Sequence, residues 1–389
     1  MKRTRNLFEA IPDWDNLLAA TARALRGKRE RWDARQFVGN LEPELSALSR
    51  EIHSGTFSGS GFRRFVIHDP KRRTISAPAF RDRVAHHAIM NVCEPEFERV
   101  QICHSYACRT GKGTLAALRA AQTMARHHPD GFWMKMDIRA YFDSVSHERL
   151  MKLLERRFAE RELLDLYARI LAGYETQAGR GLPIGSLVSQ HFANFYLAHL
   201  DHEITRRMEF GDLVRYMDDF VVWHEDKAVL REAGRRIEAF VHERLDLKLK
   251  RPPLIQRVRL GMDFLGFRVY PDRLTPSAGT KRRVRNKLAR IEWEFEHGFV
   301  PERLHQSRLQ AVFARLLWPE VSSRHFRERL IGIMRGATVA GHEPGQPGRQ
   351  LEQQRQELSL GEPQPERAGE PQQQSGVPPS PVLSKAHGW

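Results

Sequence analysis

The sequence predicts an α+β fold, and three observations carry that prediction. Runs with apolar residues at helical spacing fill most of the chain, short alternating runs are set among them, and pairs of those short runs flank tight turns, as in hairpins. With 389 residues, 41% of them apolar, the chain is long enough for two or three domains and a sizeable core.

From the N-terminus, Trp14, Leu18, Ala22 and Leu25, then Leu41, Leu45, Leu48 and Ile52, predict two helices joined by the basic stretch RGKRERW. RRFVIHDPKRRTISAP alternates on both sides of Asp69-Pro70, which predicts a hairpin with Lys71, Arg72 and Arg73 at its turn. Helical spacing returns over 79–99. In FWMKMDI, Trp133, Lys135 and Asp137 face one way while Met134, Met136 and Ile138 face the other, so a strand ends at Asp137. Helical patterns fill 147–172 and, after the turn at Gly181–Gly185, 186–208. LVRY and FVVW flank Met217-Asp218-Asp219 as a tight hairpin with two carboxylates at its tip. Residues 226–246 are helical, DFLGFRVYP reads as one strand ended by a proline, and KRRVRNKLARIEWEFEHGF opens a basic helical region that runs to about Arg335.

The charge is uneven. Of 63 Lys and Arg against 48 Asp and Glu, 4 and 6 lie beyond residue 340, leaving 59 against 42 on residues 1–340. Such an excess asks for a polyanion, and nucleic acid is the commonest. Residues 341–389 hold 9 Gln and 8 Pro with Trp389 as their one aromatic residue, a composition that predicts a disordered tail. Three cysteines are too few for a disulfide framework, which predicts a reducing, cytoplasmic setting. Cys93, Cys103, His104 and Cys108 lack the paired spacing of a zinc site. The longest uncharged run, Gly181 to Leu200, contains Pro183, Gln190 and Asn194, so no membrane span is expected.

No Walker loop, serine triad or dinucleotide fingerprint is present; the strongest constellation is acidic. Asp137 at a strand end and Asp218-Asp219 at a hairpin tip meet if their strands share a sheet. Two-metal phosphoryl transfer needs such a set, because carboxylates must hold two Mg2+ ions roughly 3.5–4 Å apart. Asp-Asp in a turn is by itself a common preference, so the surroundings decide. Tyr216-Met217-Asp218-Asp219, preceded by Asp137-Ile-Arg-Ala-Tyr-Phe-Asp143, with GLPIGSLVSQHFANFYL between them and FLGF at 264–267 after them, resembles the palm of reverse transcriptases in order and spacing.

The resemblance covers roughly residues 20–335 and implies a right-hand polymerase: an N-terminal helical extension over 1–60, fingers over 61–130, palm over 131–270, a helical thumb over 271–340 and the tail over 341–389. It implies that Asp137, Asp218 and Asp219 are catalytic and hold two Mg2+ ions, with the Ile138 carbonyl as a further ligand. Phe142 stands where the family places a ring that excludes a ribose 2′-hydroxyl, with Tyr141 packing inward. Lys71 and Arg73 stand where cations clamp the incoming triphosphate. Gly185 allows close backbone approach to the nucleotide, and Gln190 closes the same motif. Phe264, Leu265 and Gly266 resemble the primer grip, and Lys281, Arg282, Arg283, Arg285 and Lys287 form a thumb face along phosphates. Lys248 and Lys250 are alternative proton donors to the leaving pyrophosphate.

Ile184 departs from the family, where many members have a glutamine that touches the nucleotide sugar and template. Together with GKRERW, ISAPAFRDRVAHHAIM, SYACRTGKGT and IGSLVSQ in place of QGxxxSP, it makes the chain similar to reverse transcriptases of diversity-generating retroelements. That subtype implies copying errors at template adenines, a template RNA, primer, cDNA and dNTPs as partners, a small basic accessory protein, and a bacterial, archaeal or phage gene. Group II intron, retron and antiphage-defence reverse transcriptases are the alternatives, as is an RNA-binding scaffold with a vestigial site. In the tail, twelve Glu or Gln lie between Glu352 and Gln374, and eleven precede Gln, Arg, Leu, Pro or Ser. If those eleven are GAA or CAA codons, the frame one nucleotide downstream reads asparagine at each. An overlap with an adenine-rich template repeat is thus expected.

Overall fold

The computed structural model describes residues 3–68 and 72–339. Lys71 and the 341–389 tail lie outside the described residues. At the N-terminus α1 (Trp14–Ala24), α2 (Trp32–Gly39) and α3 (Leu41–His53) make three helices rather than the expected two. Asn40 leaves the helical region (φ −122°, ψ 38°), and Pro43 follows in the first turn of α3, where its missing N–H costs no helical bond. Asp13 caps α1, and the Asn16 amide reaches the Ala88 carbonyl at 3.0 Å.

Next come β1 (Phe62–Ile67) and β2 (Arg73–Pro78), an antiparallel pair, then α4 (Phe80–Glu98), α5 (Thr114–His127), β3 (Phe132–Asp137) and the single turn α6 (Tyr141–Ser144). The helical stretch expected over 147–172 is broken into α7 (His147–Arg157) and α8 (Arg161–Ala172). Phe158 between them is extended and fully buried, so the chain changes direction to seat that ring. There follow α9 (Leu187–His202), β4 (Leu213–Tyr216), β5 (Asp219–His224), α10 (Lys227–Glu243), β6 (Leu254–Arg257), β7 (Met262–Phe264), β8 (Phe267–Val269), β9 (Leu274–Pro276), α11 (Ala278–Glu296), α12 (Glu302–Phe313) and α13 (Arg324–Val339).

Four strands form the central antiparallel sheet in the order β4-β5-β3-β6. Its register sets Asp137 opposite Asp219 and Met136 opposite Phe220. Because side chains alternate, Met134, Met136, Phe220 and Val222 bury against the helices, while Lys135, Asp137 and Asp219 share the other face. Behind the sheet α9 is buried nearly all round, which explains its largely apolar sequence with Asp201 as its one carboxylate: Val188, Phe192, Phe195, Tyr196, Leu197 and Leu200 each expose 1% or less.

DFLGFRVYP is not one strand. Phe264 pairs with Phe267 across a two-residue turn in which Leu265 (φ 50°) and Gly266 (φ 90°) are both left-handed, the backbone a tight hairpin demands.

The described residues divide into two compact units. The first runs to Arg290 and includes Glu320–Ser322. The second takes Ile291–Pro319 and the chain from Ser323; in it the His305 ring stacks on Phe295 at 4.2 Å, is fully buried, and lies 3.3 Å from Glu292. Among the described residues no helix is long and apolar enough to cross a membrane.

Candidate active site

Asp137 ends β3, and the hairpin between β4 and β5 places Asp218 in its turn. Met217 adopts φ 56° to make that turn. Behind it Arg215 is fully buried and holds Asp201 with Nε at 2.7 Å and Nη2 at 2.7 Å. It also donates to Asn194 Oδ1 at 3.0 Å, Gln101 Oε1 at 3.1 Å and the Met217 carbonyl at 3.1 Å. A left-handed non-glycine residue is thus fixed from beneath by a guanidinium whose own charge is matched.

The Asp137 and Asp218 carboxyls come within hydrogen-bond reach of each other. Burial pushes Asp218 up to about 6, and the neighbouring Asp137 charge adds to it. Asp219 is likewise raised to about 6 by burial, against the pull of Lys135 3.0 Å away. Lys250 donates to Asp137 Oδ2 at 2.5 Å. Asp219 Oδ1 is buried with no hydrogen-bond partner. Two facing carboxylates and an orphaned third oxygen fit a cation, since only positive charge relieves both the repulsion and the unmet acceptor. The three acids are not a finished cage, however: among the described residues no three His, Cys, Asp or Glu side chains converge as metal ligands. Asp137 and Asp218 meet; Asp219 turns to Lys135. Ile138 donates its N–H to the Asp218 carbonyl at 3.3 Å.

A basin of about 1030 Å³ opens around Arg139 and Ala140, which follow Asp137 in the chain; none of the three acids lines it. Arg73, Ile184 and Lys248 line it, and so do Arg64, Arg72, Arg139 and Arg180. Arg64, Arg139 and Arg180 carry no local signal; three separate segments of chain bring them together. Tyr141 is buried and donates to the Ala193 carbonyl at 2.5 Å, while Phe142, half-buried, packs against the core edge. Lys248 and Lys250 part company: Lys248 lines the basin, whereas Lys250 sits on Asp137.

Gly185 and Gln190 take different places. A Cβ on Gly185 (φ 116°) would lie 2.9 Å from Ile75 and 3.3 Å from the Ser76 carbonyl, so this glycine is required by the approach of β2, which the Ser76 N–H to Ile184 carbonyl bond of 2.8 Å completes. Gln190, one turn into α9, faces a second cleft of about 550 Å³ with Arg23, Arg26 and His87, away from the basin.

Phe264 is buried, and Leu265 and Gly266 form the turn beside it. On α11, Arg282, Arg285 and Lys287 are exposed and Lys281 and Arg283 half-buried. Val284 and Leu288 point inward at helical spacing.

The family model for reverse transcriptases, RNA-dependent DNA polymerases, matches residues 68–269. The chain belongs to that family. Its four-stranded sheet is therefore the reverse transcriptase palm. The chain is similar to Protein YkfC of Escherichia coli, 28% identical over 182 residues, which cover 44% of this chain and 48% of YkfC. It is similar to the putative COX1/OXI3 intron 1 protein of Saccharomyces cerevisiae, 26% identical, covering 41% of this chain and 20% of that protein. It is also similar to nuclear intron maturase 4 of Arabidopsis thaliana, 26% identical, covering 43% and 21%. The chain thus spans about half of YkfC and about a fifth of the intron proteins. Among solved structures, apo telomerase from Candida tropicalis is similar at TM-score 0.46 and 10% identity, covering 78% of this chain and 63% of that one.

Proposed function

We propose that this reverse transcriptase family member is an active RNA-directed DNA polymerase of the diversity-generating retroelement type. The observation that carries the activity is the closeness of Asp137 and Asp218, with Arg139, two residues after Asp137, on the wall of a large basin that also holds Arg64, Arg72, Arg73, Arg180 and Lys248. Asp137 and Asp218 would hold two Mg2+ ions with help from Asp219 and the Ile138 carbonyl; bound there, the ions would acidify the primer 3′-hydroxyl and offset charge on the leaving pyrophosphate. Arg73, Arg139 and Lys248 bind the triphosphate, while Arg180 is held by Asp246 at the basin wall. Lys248, rather than Lys250, gives the pyrophosphate its proton, because Lys250 is engaged by Asp137. Phe142 excludes the 2′-hydroxyl, Phe264 and its turn hold the primer end, and the α11 cations follow phosphates.

Ile184 supports the subtype. An aliphatic side chain at the basin wall offers no hydrogen bond to the nascent pair, so mispairs are penalised less. The names of the similar intron proteins favour a second reading, an intron-associated reverse transcriptase; against it stands IGSLVSQ where intron enzymes have QGxxxSP. A cytoplasmic location and a small basic accessory protein belong to the first reading.

The test is primer extension on RNA with Mg2+ by the full chain beside Asp218→Asn and Asp137→Ala. Both variants should lose synthesis and keep most RNA affinity, which rests on the basic surface. Synthesis by Asp218→Asn at the wild-type rate would sink the mechanism.

A further inference from the structure

Lys135 belongs to none of the roles above, yet it stands where three elements meet. It lies two residues before Asp137 on β3, on the face of the sheet that carries the acids. Its ammonium is 3.0 Å from Asp219 Oδ2 at the start of β5. It donates to the main-chain carbonyl of Asp263 on β7 at 2.8 Å. The Phe264 ring lies 5.4 Å from the same nitrogen, within cation–π range. The pair with Asp219 is half-enclosed, with side-chain exposures of 23% and 25%, so water screens it less than a surface pair.

The central sheet and the β7-β8-β9 sheet share no ladder. What Lys135 supplies is therefore a side-chain tie between the strand that ends at Asp137, the strand that begins at Asp219, and the strand that leads into the Leu265-Gly266 turn. A turn with two left-handed residues keeps its place only where its surroundings hold it. On one side the Gly266 carbonyl accepts from Thr280 Oγ1 at 2.6 Å; on the other, Lys135 holds Asp263 and Phe264. Asp219 gains from the same contact, since without the ammonium its carboxylate would lie beside Asp137 and Asp218 with one oxygen already unpartnered.

We propose that Lys135 is a positioning residue that sets the primer-end strand turn relative to the catalytic carboxylates, with Asp219 as its anchor. The proposal rests on the polymerase reading and predicts a defect confined to the primer end. The full chain would be compared with Lys135→Met, which keeps the length and loses the charge, and Lys135→Arg, which keeps the charge. Steady-state extension would be read together with fluorescence of 2-aminopurine at the 3′ end of a bound DNA primer on RNA, a signal that rises when the terminal base unstacks.

Lys135→Met should lower kcat by roughly tenfold, the scale of one lost charge-assisted hydrogen bond, with the dNTP KM unchanged and terminal fluorescence raised. Lys135→Arg should recover part of both. If Lys135→Met fails to fold, as judged by its thermal transition, Lys135→Arg and Lys135→Gln carry the comparison. Wild-type kcat in Lys135→Met, or a loss that falls on the dNTP KM with terminal fluorescence unmoved, overturns the proposal. If the wild-type chain binds the duplex without extending it, the polymerase reading fails, while the fluorescence difference still decides the role of Lys135.

Discussion

Arg215 and Asp201 expose 0% and 1% of their side chains, so neither charge has water to fall back on if the other is removed. Breaking one partner of such a pair costs about 3–5 kcal/mol, because the survivor stays buried and uncompensated. Arg215→Met and Asp201→Asn should each lower stability by that order, measured as a shift in the urea midpoint at constant slope. Replacing both, as in Arg215→Met with Asp201→Leu, should cost less than the sum, since no orphaned charge remains. Additive losses would mean that the pair is not the unit the geometry describes. Ile184 poses the opposite kind of question, one of a missing bond. Ile184→Gln puts a polar group at the wall of the basin and should reduce misincorporation opposite template adenine while slowing turnover; error spectra of the two enzymes on one template are the measurement, and unchanged adenine errors would place infidelity elsewhere.

Two helices, α4 and α9, carry neutral histidines into the interior. His86 is lowered to about 4 by burial, then by His87 and Arg83, and its Nδ1 lies 3.3 Å from Ser186 Oγ; His191 is lowered to about 4, again by burial. Each folded-state pKa lies below the unfolded value of about 6.5, so protons favour the unfolded chain. The stability they contribute is complete above about pH 6.5 and is lost as pH falls from there toward 4. Asp218 and Asp219, raised to about 6, work in the opposite sense between that value and their unfolded range near 4. The histidine term is isolated by difference: His86→Gln should lose less stability between pH 7 and 5 than the parent, read from thermal midpoints, and equal losses would refute the assignment. The same elements show why some of the site was legible in the sequence and some was not. Asp137, Asp218 and the alternation around Lys135 were readable because a strand's period is local. The β6 strand, four residues directly after Pro252-Pro253, is too short to show an alternation of its own. The turn at Leu265-Gly266 was hidden because a leucine at φ 50° has no sequence signature. Arg64, Arg139 and Arg180 converge only through packing, for which no spacing rule exists.

Charge divides the whole molecule at about residue 340: 59 basic against 42 acidic residues before it, 4 against 6 after it. If nucleic-acid binding rests on the first part, deleting residues 345–389 should leave extension of a supplied RNA nearly unchanged, and that is the first measurement. The composition after 340 then calls for another cause. Eleven of the twelve Glu and Gln residues between Glu352 and Gln374 precede a residue whose codons can begin with C or T. With GAA or CAA at those positions, a shift of one nucleotide reads AAC or AAT at each, so a row of acidic and amide residues in this frame is a row of asparagines in the next. Asparagine codons of that form expose two adenines each, the base at which the enzyme is proposed to err. Constraint would then act on the RNA, and the protein sequence of the tail would be its by-product. The nucleotide sequence decides the matter directly: GAA and CAA should dominate at those eleven positions, and a near-copy differing at adenines should lie in a neighbouring gene. A majority of GAG and CAG, or the lack of any such copy, would return the tail to an ordinary Gln- and Pro-rich extension.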